Sequence, residues 1–297
     1  MTSDSFSKRI AQEGFTLAEL LITIAIIGLL ASIILATTAG SREQAQIAKT
    51  LQWSRSVQSL LGADAVGIWN LDEDSAIHGT VIADLSGWGN NGTLSTGDGA
   101  VSKSVPGVVN NALSFDGVND YVSLGNPPSL QIADTVTIEG WVYLKSQPGT
   151  IQAWFGNGYT QAGSIFIGAH SAVGGSWWVM LGPTREFAFG TKVFNQWVHL
   201  TVTLDLNLGS NQLKGYQDGV LRNQITWAND IMTRSSTRLI GYGSAGNYWD
   251  GFVDEVRIYG TALTAAQIGS RYYAGLERLL VEGQINQDEY QQRLARI

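Results

Sequence analysis

The sequence contains no cysteine. This absence excludes disulfide bonds, thiol nucleophiles and cysteine metal sites, while it leaves the redox compartment of the protein undetermined. A domain of this kind outside the cell would therefore be held together by packing, or by packing and a bound metal ion.

Charged residues are also scarce, and the basic ones are the minority. They make up 14% of the 297 residues, and the net charge is -7. A protein that binds nucleic acid needs a basic surface to displace counterions, so we expect no nucleic-acid partner. The 35 glycines, ten tryptophans and ten tyrosines instead indicate many turns between aromatic and β-branched strands.

A long uncharged segment lies near the N-terminus, between Leu20 and Ser41. As a helix, residues 15–38 would be about 36 Å long, enough to cross a hydrocarbon layer of ~30 Å. Lys8 and Arg9 precede the segment, and basic residues favour the cytoplasmic side of a membrane. We therefore predict a single-pass transmembrane helix in the cytoplasmic membrane, with the C-terminal domain outside.

Glu19 lies inside this apolar segment, where a carboxylate is costly and so points to a function. The alternatives are a plain anchor and a cleaved secretory signal, for which Ala36 and Ala39 would supply the small residues. The apolar core is longer than that of a signal peptide, which argues against cleavage at these alanines.

The run GFTLAE at residues 14–19 follows a basic leader and opens the apolar helix. Over residues 8–60 the chain resembles the N-terminus of type IV pilins and pseudopilins. The resemblance implies that prepilin peptidase cuts after Gly14 and that Phe15 becomes the N-methylated first residue. It also implies that Glu19 pairs with the Phe15 amine of a neighbouring pilin-like subunit. Many pilins have a proline that kinks this helix, whereas residues 15–62 contain none.

The pattern then changes to short alternating runs separated by Gly, Asn, Asp and Pro, which predicts an antiparallel β-sandwich. The dipeptides Asp116-Gly117, Asp218-Gly219 and Asp250-Gly251 predict tight turns. The predicted strands are Val66–Leu71, Ala112–Phe115, Tyr121–Leu124, Val136–Tyr143, Ile165–Ala169, Ser176–Leu181, Trp197–Leu204, Gln212–Gln217, Arg238–Gly241 and Phe252–Tyr259.

Several of these segments occur in an order that is known from one family. They include GIWNLDE at 67–73, ALSFDGVNDYVSLG at 112–125, VTIEGWVYL at 136–144 and FVDEVRIYGTALT at 252–264. They resemble the laminin-G-like jelly roll of the concanavalin A-like lectins and glucanases, found in bacterial surface proteins. The resemblance implies an all-β jelly-roll sandwich, while a fold alone does not name a ligand.

Gly-rich loops of the sandwich offer oxygen ligands, and related jelly rolls often carry structural calcium at such turns. Alternation would place Asp254 on one face with Phe252, Val256 and Ile258, where its carboxylate needs compensation. Hydrogen bonds to turn backbone and a calcium ion are the two explanations. The candidate calcium ligands are Asp84, Asp116, Asn119, Asp120 and Asp254, with Asn90 and Asn91 nearby in sequence.

Aromatic residues in loops suggest a ligand site, because planar rings stack on sugars, although most aromatics in a sandwich belong to its core. Tyr248 and Trp249 lie in a predicted loop beside Asn247 and Asp250. They are the candidate rim for a glycan or a surface-protein partner. In the pair Trp177 and Trp178, alternation sends one side chain inward and the other to the opposite face.

No catalytic motif is present, and the three histidines are isolated in the sequence. Glycosidases of related folds place paired acids on one strand face, whereas the strand VTIEGWVY offers only Glu139. Asp254 and Glu255 are adjacent and therefore point to opposite faces. We predict that the protein is not an enzyme.

The chain returns to helical patterns after Ala262, with a helix over Thr264–Ala274 for which Thr264 is the cap. A second helical run follows Gly275, in which Gly283 ends one helix and Asn286 begins the last. A short helical hairpin is predicted, either packed on the sandwich or used for oligomerisation. Four parts result: a leader at 1–14, an assembly helix at 15–62, the sandwich at 63–262 and a helical tail at 263–297.

These features predict a major or minor pilin, or a pseudopilin, that displays a jelly roll at the cell surface or on an extracellular filament for adhesion, binding or filament structure. The alternatives are a membrane-anchored lectin-like protein that does not polymerise and, with less support, a membrane-anchored glycan-processing enzyme.

Overall fold

A computed structural model describes residues 17–30, 64–147, 151–158, 162–171, 175–182, 185–233 and 235–296. The chain divides into two compact units, Met1–Thr50 and Leu51–Ile297. In the first unit, residues 17–30 form the helix α1. Among the described residues, no helix has the length and hydropathy that a membrane crossing requires. Most of the predicted helix over 15–62 lies outside the described residues.

The second unit is an all-β sandwich followed by two helices, as the sequence predicted. The ten predicted strands are all present, and six further strands were not predicted: Val81–Ile82, Gly92–Ser95, Ser104–Pro106, Ile151–Gly156, Arg185–Phe189 and Val220–Ile225. The strands are β1 Ala65–Trp69, β2 Val81–Ile82, β3 Gly92–Ser95, β4 Ser104–Pro106, β5 Asn111–Asp116, β6 Tyr121–Gly125, β7 Thr135–Leu144, β8 Ile151–Gly156, β9 Ile165–His170, β10 Trp177–Leu181, β11 Arg185–Phe189, β12 Trp197–Asp205, β13 Leu213–Gln217, β14 Val220–Ile225, β15 Arg238–Ile240 and β16 Asp250–Tyr259, with a 3-10 turn at Pro128–Leu130.

The described strands form two eight-stranded antiparallel sheets. Sheet A has the order β14-β13-β12-β7-β16-β5-β4, and β1 pairs with β16 beside this path. Sheet B has the order β11-β10-β9-β8-β15-β6-β3-β2. The first strand of the sandwich therefore pairs with the last, with Ala65 opposite Tyr259.

The core lies between the two sheets and follows from alternation along each strand. In β7, the side chains of Val136, Ile138, Val142 and Leu144 are buried in this core. Each such side chain contributes about 1.5–3 kcal/mol through its removal from water. The intervening residues of β7 point to the outer face of sheet A, so one strand supplies both the core and an outer surface.

The turns that were predicted at the three Asp-Gly dipeptides are only partly found in the structure. Asp218 and Gly219 have φ angles of 53° and 78° and join β13 to β14, which confirms the predicted tight hairpin turn. Gly117, with a φ of 76°, follows β5. The prediction for Asp250-Gly251 was wrong, because both residues begin β16. Gly251 is needed there because the carbonyl oxygen of Tyr143 leaves no room for a Cβ.

An irregularity in β16 overturns the predicted face of Asp254. The register with β7 shifts between Asp254 and Arg257, and Glu255 has a φ of 53°. This β-bulge inserts one residue, so Val256 and Ile258 belong to the core between the sheets while Asp254 does not share their face. The predicted common face with Val256 and Ile258 was therefore wrong.

The C-terminal helices are α2, Ala265–Val281, and α3, Gln287–Leu294. Thr264 and Gln267 form a capping box at the start of α2, and Asn286 caps α3, as predicted. Gly275, which was expected to separate two helical segments, lies within α2. Buried residues of both helices pack with Trp141 and Trp197 on the outer face of sheet A, so the hairpin is packed on the sandwich.

An ion pair fixes α2 to sheet A. Glu139 on β7 is fully buried and accepts hydrogen bonds from Arg271 Nε at 2.9 Å and from the Tyr259 hydroxyl at 3.1 Å. Burial alone would raise the pKa of Glu139, but nearby positive charge, that of Arg271 above all, holds the pKa below its usual value. His199 lies between Trp141 and Tyr272, and burial lowers its pKa to about 4. The Glu139 carboxylate is therefore enclosed by this packing.

The two glycines of α2 provide a test of the packing. A Cβ on Gly275 would lie 2.6 Å from Cε2 of the buried Trp141 ring, whereas a Cβ on Gly269 meets nothing within 4 Å. We expect Gly275→Ala to lower the free energy of unfolding by about 1–3 kcal/mol through overpacking. Gly269→Ala, the matched control, should raise it by roughly 0.5–1 kcal/mol. Denaturant unfolding of both variants measures the difference, and equal values for the two would contradict the described contact.

Candidate functional site

The assembly residues predicted at the N-terminus are only partly described. Gly14 and Phe15 lie outside the described residues, whereas Glu19 lies in α1 and is exposed in the single chain. The backbone carbonyl oxygen of Glu19 accepts a hydrogen bond from the Thr23 hydroxyl at 3.0 Å. Apolar side chains occupy all sides of α1 and are exposed as well, with Leu29 at 65% and Ile27 at 63%. A helix that is apolar all round needs an apolar environment, which neighbouring helices or lipid can provide.

The predicted calcium ligands are distributed over three places. Within the described part of the chain, no three Asp, Glu, His or Cys side chains converge as a metal site. Asp84, in the loop between β2 and β3, accepts hydrogen bonds from the backbone N–H groups of Ile68, Ser86 and Asn90 at 2.8–3.0 Å and from the Ser86 hydroxyl. Its carboxylate therefore organises this loop and ties it to β1.

Asp116, Asn119 and Asp120 share the turn between β5 and β6. Asp116 Oδ1 accepts from the N–H groups of Val118 and Asn119, which is a turn contact. Asp120 is fully buried and forms an ion pair with Lys103 at 2.7 Å. Burial raises the pKa of Asp120, although the hydrogen bond from Lys103 opposes the shift. This ion pair joins the segment before β4 in sheet A to the start of β6 in sheet B.

Asp254 lies near Asp72, which in turn accepts a hydrogen bond from Asn70, and we call these three residues the acidic pocket. Asp254 is fully buried, and its Oδ2 accepts from the N–H groups of Val108 at 2.8 Å and Val109 at 3.2 Å. Its Oδ1 has no hydrogen-bond partner. Burial raises the pKa of Asp254 well above its usual range, and the charges of Glu255 and Asp72 add to this shift.

Asp72 is held by the same loop as Asp254. Its Oδ1 accepts from the N–H of Asn111 at 3.2 Å, and its Oδ2 accepts from Asn110 Nδ2 at 3.3 Å. Burial raises the pKa of Asp72, while a hydrogen bond from Asn70 lowers it. The side-chain oxygen of Asn70 is itself buried without a partner. Sequence reasoning missed Asn70 and Asp72, although both lie in the quoted segment GIWNLDE.

The acidic pocket fits a hard cation by its donor chemistry. Two carboxylates and an amide oxygen are calcium ligands by type, and two of these groups carry a buried oxygen that nothing else satisfies. An unsatisfied buried oxygen costs about 1–3 kcal/mol, more for a charged group. The turn of Asp116 has one such oxygen, Oδ1 of Asp120, whose Oδ2 is paired with Lys103, and the loop of Asp84 has none.

The predicted rim of Tyr248 and Trp249 is divided by the structure. Trp249 is fully buried in the core, with its ring centroid 6.4 Å from that of Trp177, so its assignment to a ligand rim was wrong. Tyr248 is half-buried and forms an isolated β-bridge with Tyr242. Consecutive residues of an extended segment point to opposite sides, which explains why only Tyr248 reaches the surface.

Tyr248 belongs to a cluster of three half-buried tyrosines. The rings of Tyr242 and Tyr248 are stacked, with centroids 4.2 Å apart and planes at 13°. The Tyr121 ring lies 5.7 Å from that of Tyr242, with planes at 41°. Burial and the neighbouring Tyr242 raise the pKa of Tyr248. Tyr121 and Tyr242 were not predicted as site residues, since only the fold brings them beside Tyr248.

Two family models match the chain. The model described as the concanavalin A-like lectin/glucanases superfamily matches residues 116–269, about half of the chain. This chain belongs to that superfamily. A second model, the prokaryotic N-terminal methylation motif, matches residues 9–35. The predicted fusion of a pilin-type N-terminus with a jelly roll of this superfamily is therefore confirmed. No curated protein matches the sequence.

Solved structures share the fold of this superfamily member at low identity. Domain 4 of AbnA, an extracellular GH43 arabinanase of Geobacillus stearothermophilus solved with arabinotriose, is 20% identical with a TM-score of 0.56, and the match covers 70% of this chain and 97% of that one. The binding domain of Paraclostridial Mosquitocidal Protein 1 is 16% identical with a TM-score of 0.57, covering 73% and 53%. A Trypanosoma rangeli sialidase is 16% identical with a TM-score of 0.52, covering 71% of this chain and 33% of the sialidase.

Proposed function

We propose that this protein is a type IV pilin-like surface subunit that displays a carbohydrate-binding jelly roll. The observation that carries the proposal is the joining of a prokaryotic N-terminal methylation motif to a lectin-type sandwich in one chain. The methylation motif implies a membrane-anchored precursor that is processed and assembled with membrane machinery. The jelly roll would then bind its ligand outside the cell.

Assembly is assigned to Glu19 and the processed N-terminus. The apolar α1 carries Glu19 among exposed Leu and Ile side chains, so packing of α1 among other helices would bury this carboxylate. A buried carboxylate requires a partner of opposite charge. The amine of Phe15 on a neighbouring subunit, freed by cleavage after Gly14, would supply that charge and fix the stagger between subunits.

Binding rather than catalysis is assigned to the jelly roll. The ion pair of Glu139 with Arg271 beneath α2 supports this assignment, because that carboxylate is committed to the packing of the helix. The domain of AbnA was solved with arabinotriose, which supports a carbohydrate ligand by analogy of fold alone. A membrane-anchored lectin that does not polymerise shares the binding role and differs in its N-terminus.

The mature N-terminus distinguishes the pilin-like subunit from the membrane-anchored lectin that does not polymerise. Mass spectrometry of the full chain from its native membrane should find N-methylated Phe15 as the first residue. A chain that begins at Met1, or near Ala39, would contradict the pilin assignment and leave a tethered binding module.

The charge of Glu19 can be tested directly. We expect Glu19→Ala to insert into the membrane normally but to be lost from sheared filaments by about tenfold or more, because an unpaired buried amine costs more than 1.4 kcal/mol. Thr23→Ala, one turn along α1, removes only a hydroxyl bonded to backbone carbonyls and serves as the control. Filaments with normal Glu19→Ala content would refute the pairing.

We also propose that the acidic pocket holds a calcium ion through Asn70, Asp72 and Asp254. The unpartnered buried oxygens of Asn70 and Asp254 support this proposal. A positive ion would oppose the burial that raises the pKa of Asp254. The ion would also reduce the repulsion between the carboxylates of Asp72 and Asp254.

Thermal unfolding of the full chain in detergent tests the calcium ion. Saturating calcium should raise Tm by several degrees over excess chelator, since ligand at 100 times its Kd adds about 2.7 kcal/mol of stability. Asp254→Asn should abolish that rise. In chelator the same variant should raise Tm at neutral pH, because a carboxyl group whose pKa is raised on folding weakens the fold as pH increases.

Asp84→Asn is the matched control for this measurement. It should lower Tm equally in calcium and in chelator, because its carboxylate bonds backbone N–H groups. An equal Tm for the unmodified protein in calcium and in chelator would contradict the proposed calcium site.

A further inference from the structure

The outer faces of the two sheets differ in what covers them. Sheet A is covered over β7 and β12 by α2 and α3, through contacts with Trp141 and Trp197. In the described part of the chain, both α2 and α3 are committed to sheet A. The three-tyrosine cluster lies on the other sheet, where Tyr121 belongs to β6. On sheet B, the outward side chains Ala153, Phe166 and Trp178 of β8, β9 and β10 are also buried. The outward residues of β3 and β6 are exposed or half-buried, so this part of sheet B offers an open outer surface.

The strands beside this cluster present hydroxyl groups in register. Ser95 on β3 lies opposite Tyr121, and Thr93 lies opposite Ser123. Their neighbours Leu94 and Val122 are buried between the sheets, so these four residues point outward. Together with Tyr242 and Tyr248 they form what we call the tyrosine face.

The tyrosine face carries no formal charge at neutral pH. The outward residues of the four strands β2, β3, β6 and β15 include apolar, hydroxyl and tyrosine side chains and no acid or base. Arg238, at the start of β15, is fully buried and donates to Asn126 Oδ1 and to backbone carbonyls, including that of Leu130 at 3.0 Å. Among the described outward residues of these four strands, a ligand would thus meet rings and hydroxyls but no ion partner.

The loop that carries Tyr242 and Tyr248 is fixed before any ligand arrives. Asn247 accepts through its carbonyl oxygen from the N–H groups of Ala153 and Gly243, each at 3.3 Å. Gly243 lets the loop lie against sheet B, since a Cβ there would be 2.9 Å from Ala153 Cβ. Binding of a sugar would then require little further ordering of this loop. Such preorganisation favours affinity because little conformational entropy is lost on binding.

We propose that the tyrosine face binds an uncharged saccharide, an inference that rests on the carbohydrate-binding part of the proposed function. The C–H face of a sugar ring packs on a tyrosine ring, while the phenol, Ser95 and Ser123 hydroxyls exchange hydrogen bonds with sugar hydroxyls. Uronic and sialic acids are disfavoured because their carboxylates would lose water without gaining a cation.

Glycan-array binding of the full chain in detergent tests the site and the ligand class together. The unmodified protein should bind neutral glycans and not their acidic counterparts. Tyr121→Ala and Tyr248→Ala should each weaken that binding by about tenfold or more. Tyr248→Phe should retain most of it, because the ring remains. Tm of every variant is measured alongside, so that a loss of fold is recognised.

Trp88→Ala is the matched control, since Trp88 is an aromatic residue with 60% exposure. It lies in the loop that enters β3 at Gly92, whereas Tyr121 pairs at the other end of β3 with Ser95. Binding that is lost in Trp88→Ala but kept in folded Tyr121→Ala and Tyr248→Ala would move the site and overturn this inference, while the carbohydrate-binding function would stand. Binding only to acidic glycans would overturn the ligand class, and binding to no glycan would overturn the site and the function together.

Discussion

The buried ion pair between Glu139 and Arg271 is the interaction on which the arrangement of the sandwich depends. A carboxylate in the middle of a central strand is tolerable only if a positive charge and further hydrogen bonds reach it, and α2 supplies the positive charge. The same contact seats Gly275 on Trp141 and covers sheet A. Removing one partner of a buried pair costs roughly 3–5 kcal/mol, so the helix and the strand are tied energetically.

The two sheets differ in which of their outward side chains are packed and which remain at the surface. The outer face of sheet A packs against the C-terminal helices, and its strands carry the buried Glu139, His199 and Trp141. In sheet B, β3 and β6 keep hydroxyl and tyrosine side chains outward, whereas the outward residues Phe166 and Trp178 of β9 and β10 are buried. The sandwich can therefore vary its exposed tyrosines and hydroxyls without disturbing the packing between helix and sheet.

Alternation in the sequence predicted the antiparallel β-sandwich and its longest strands, β7, β12 and β16, because period-two burial is local. The jelly-roll assignment rested on the family resemblance, and the six-residue strands β8 and β14 were not predicted. It failed at Asp254, where a bulge at Glu255 inserts one residue and changes the faces that follow. It also failed at Trp249, since a residue predicted to lie in a loop was in an extended segment that alternates into the core. Gly275 was expected to separate two helical segments, because the sequence does not show the Trp141 ring against it. Asn70 and Asp72 were missed for the same reason: their relation to Asp254 is set by a loop distant in sequence.

The pairing of β1 with β16 has a mechanical meaning. The chain enters the sandwich at Ala65, so tension applied through the preceding segment arrives first at the ladder between these two strands. The loop of Asp84 reinforces β1 at Ile68, and Asn90 does so through the carbonyl of Val66 and the indole of Trp69. Tension on the chain would thus load a cross-linked seam rather than a single peeling strand.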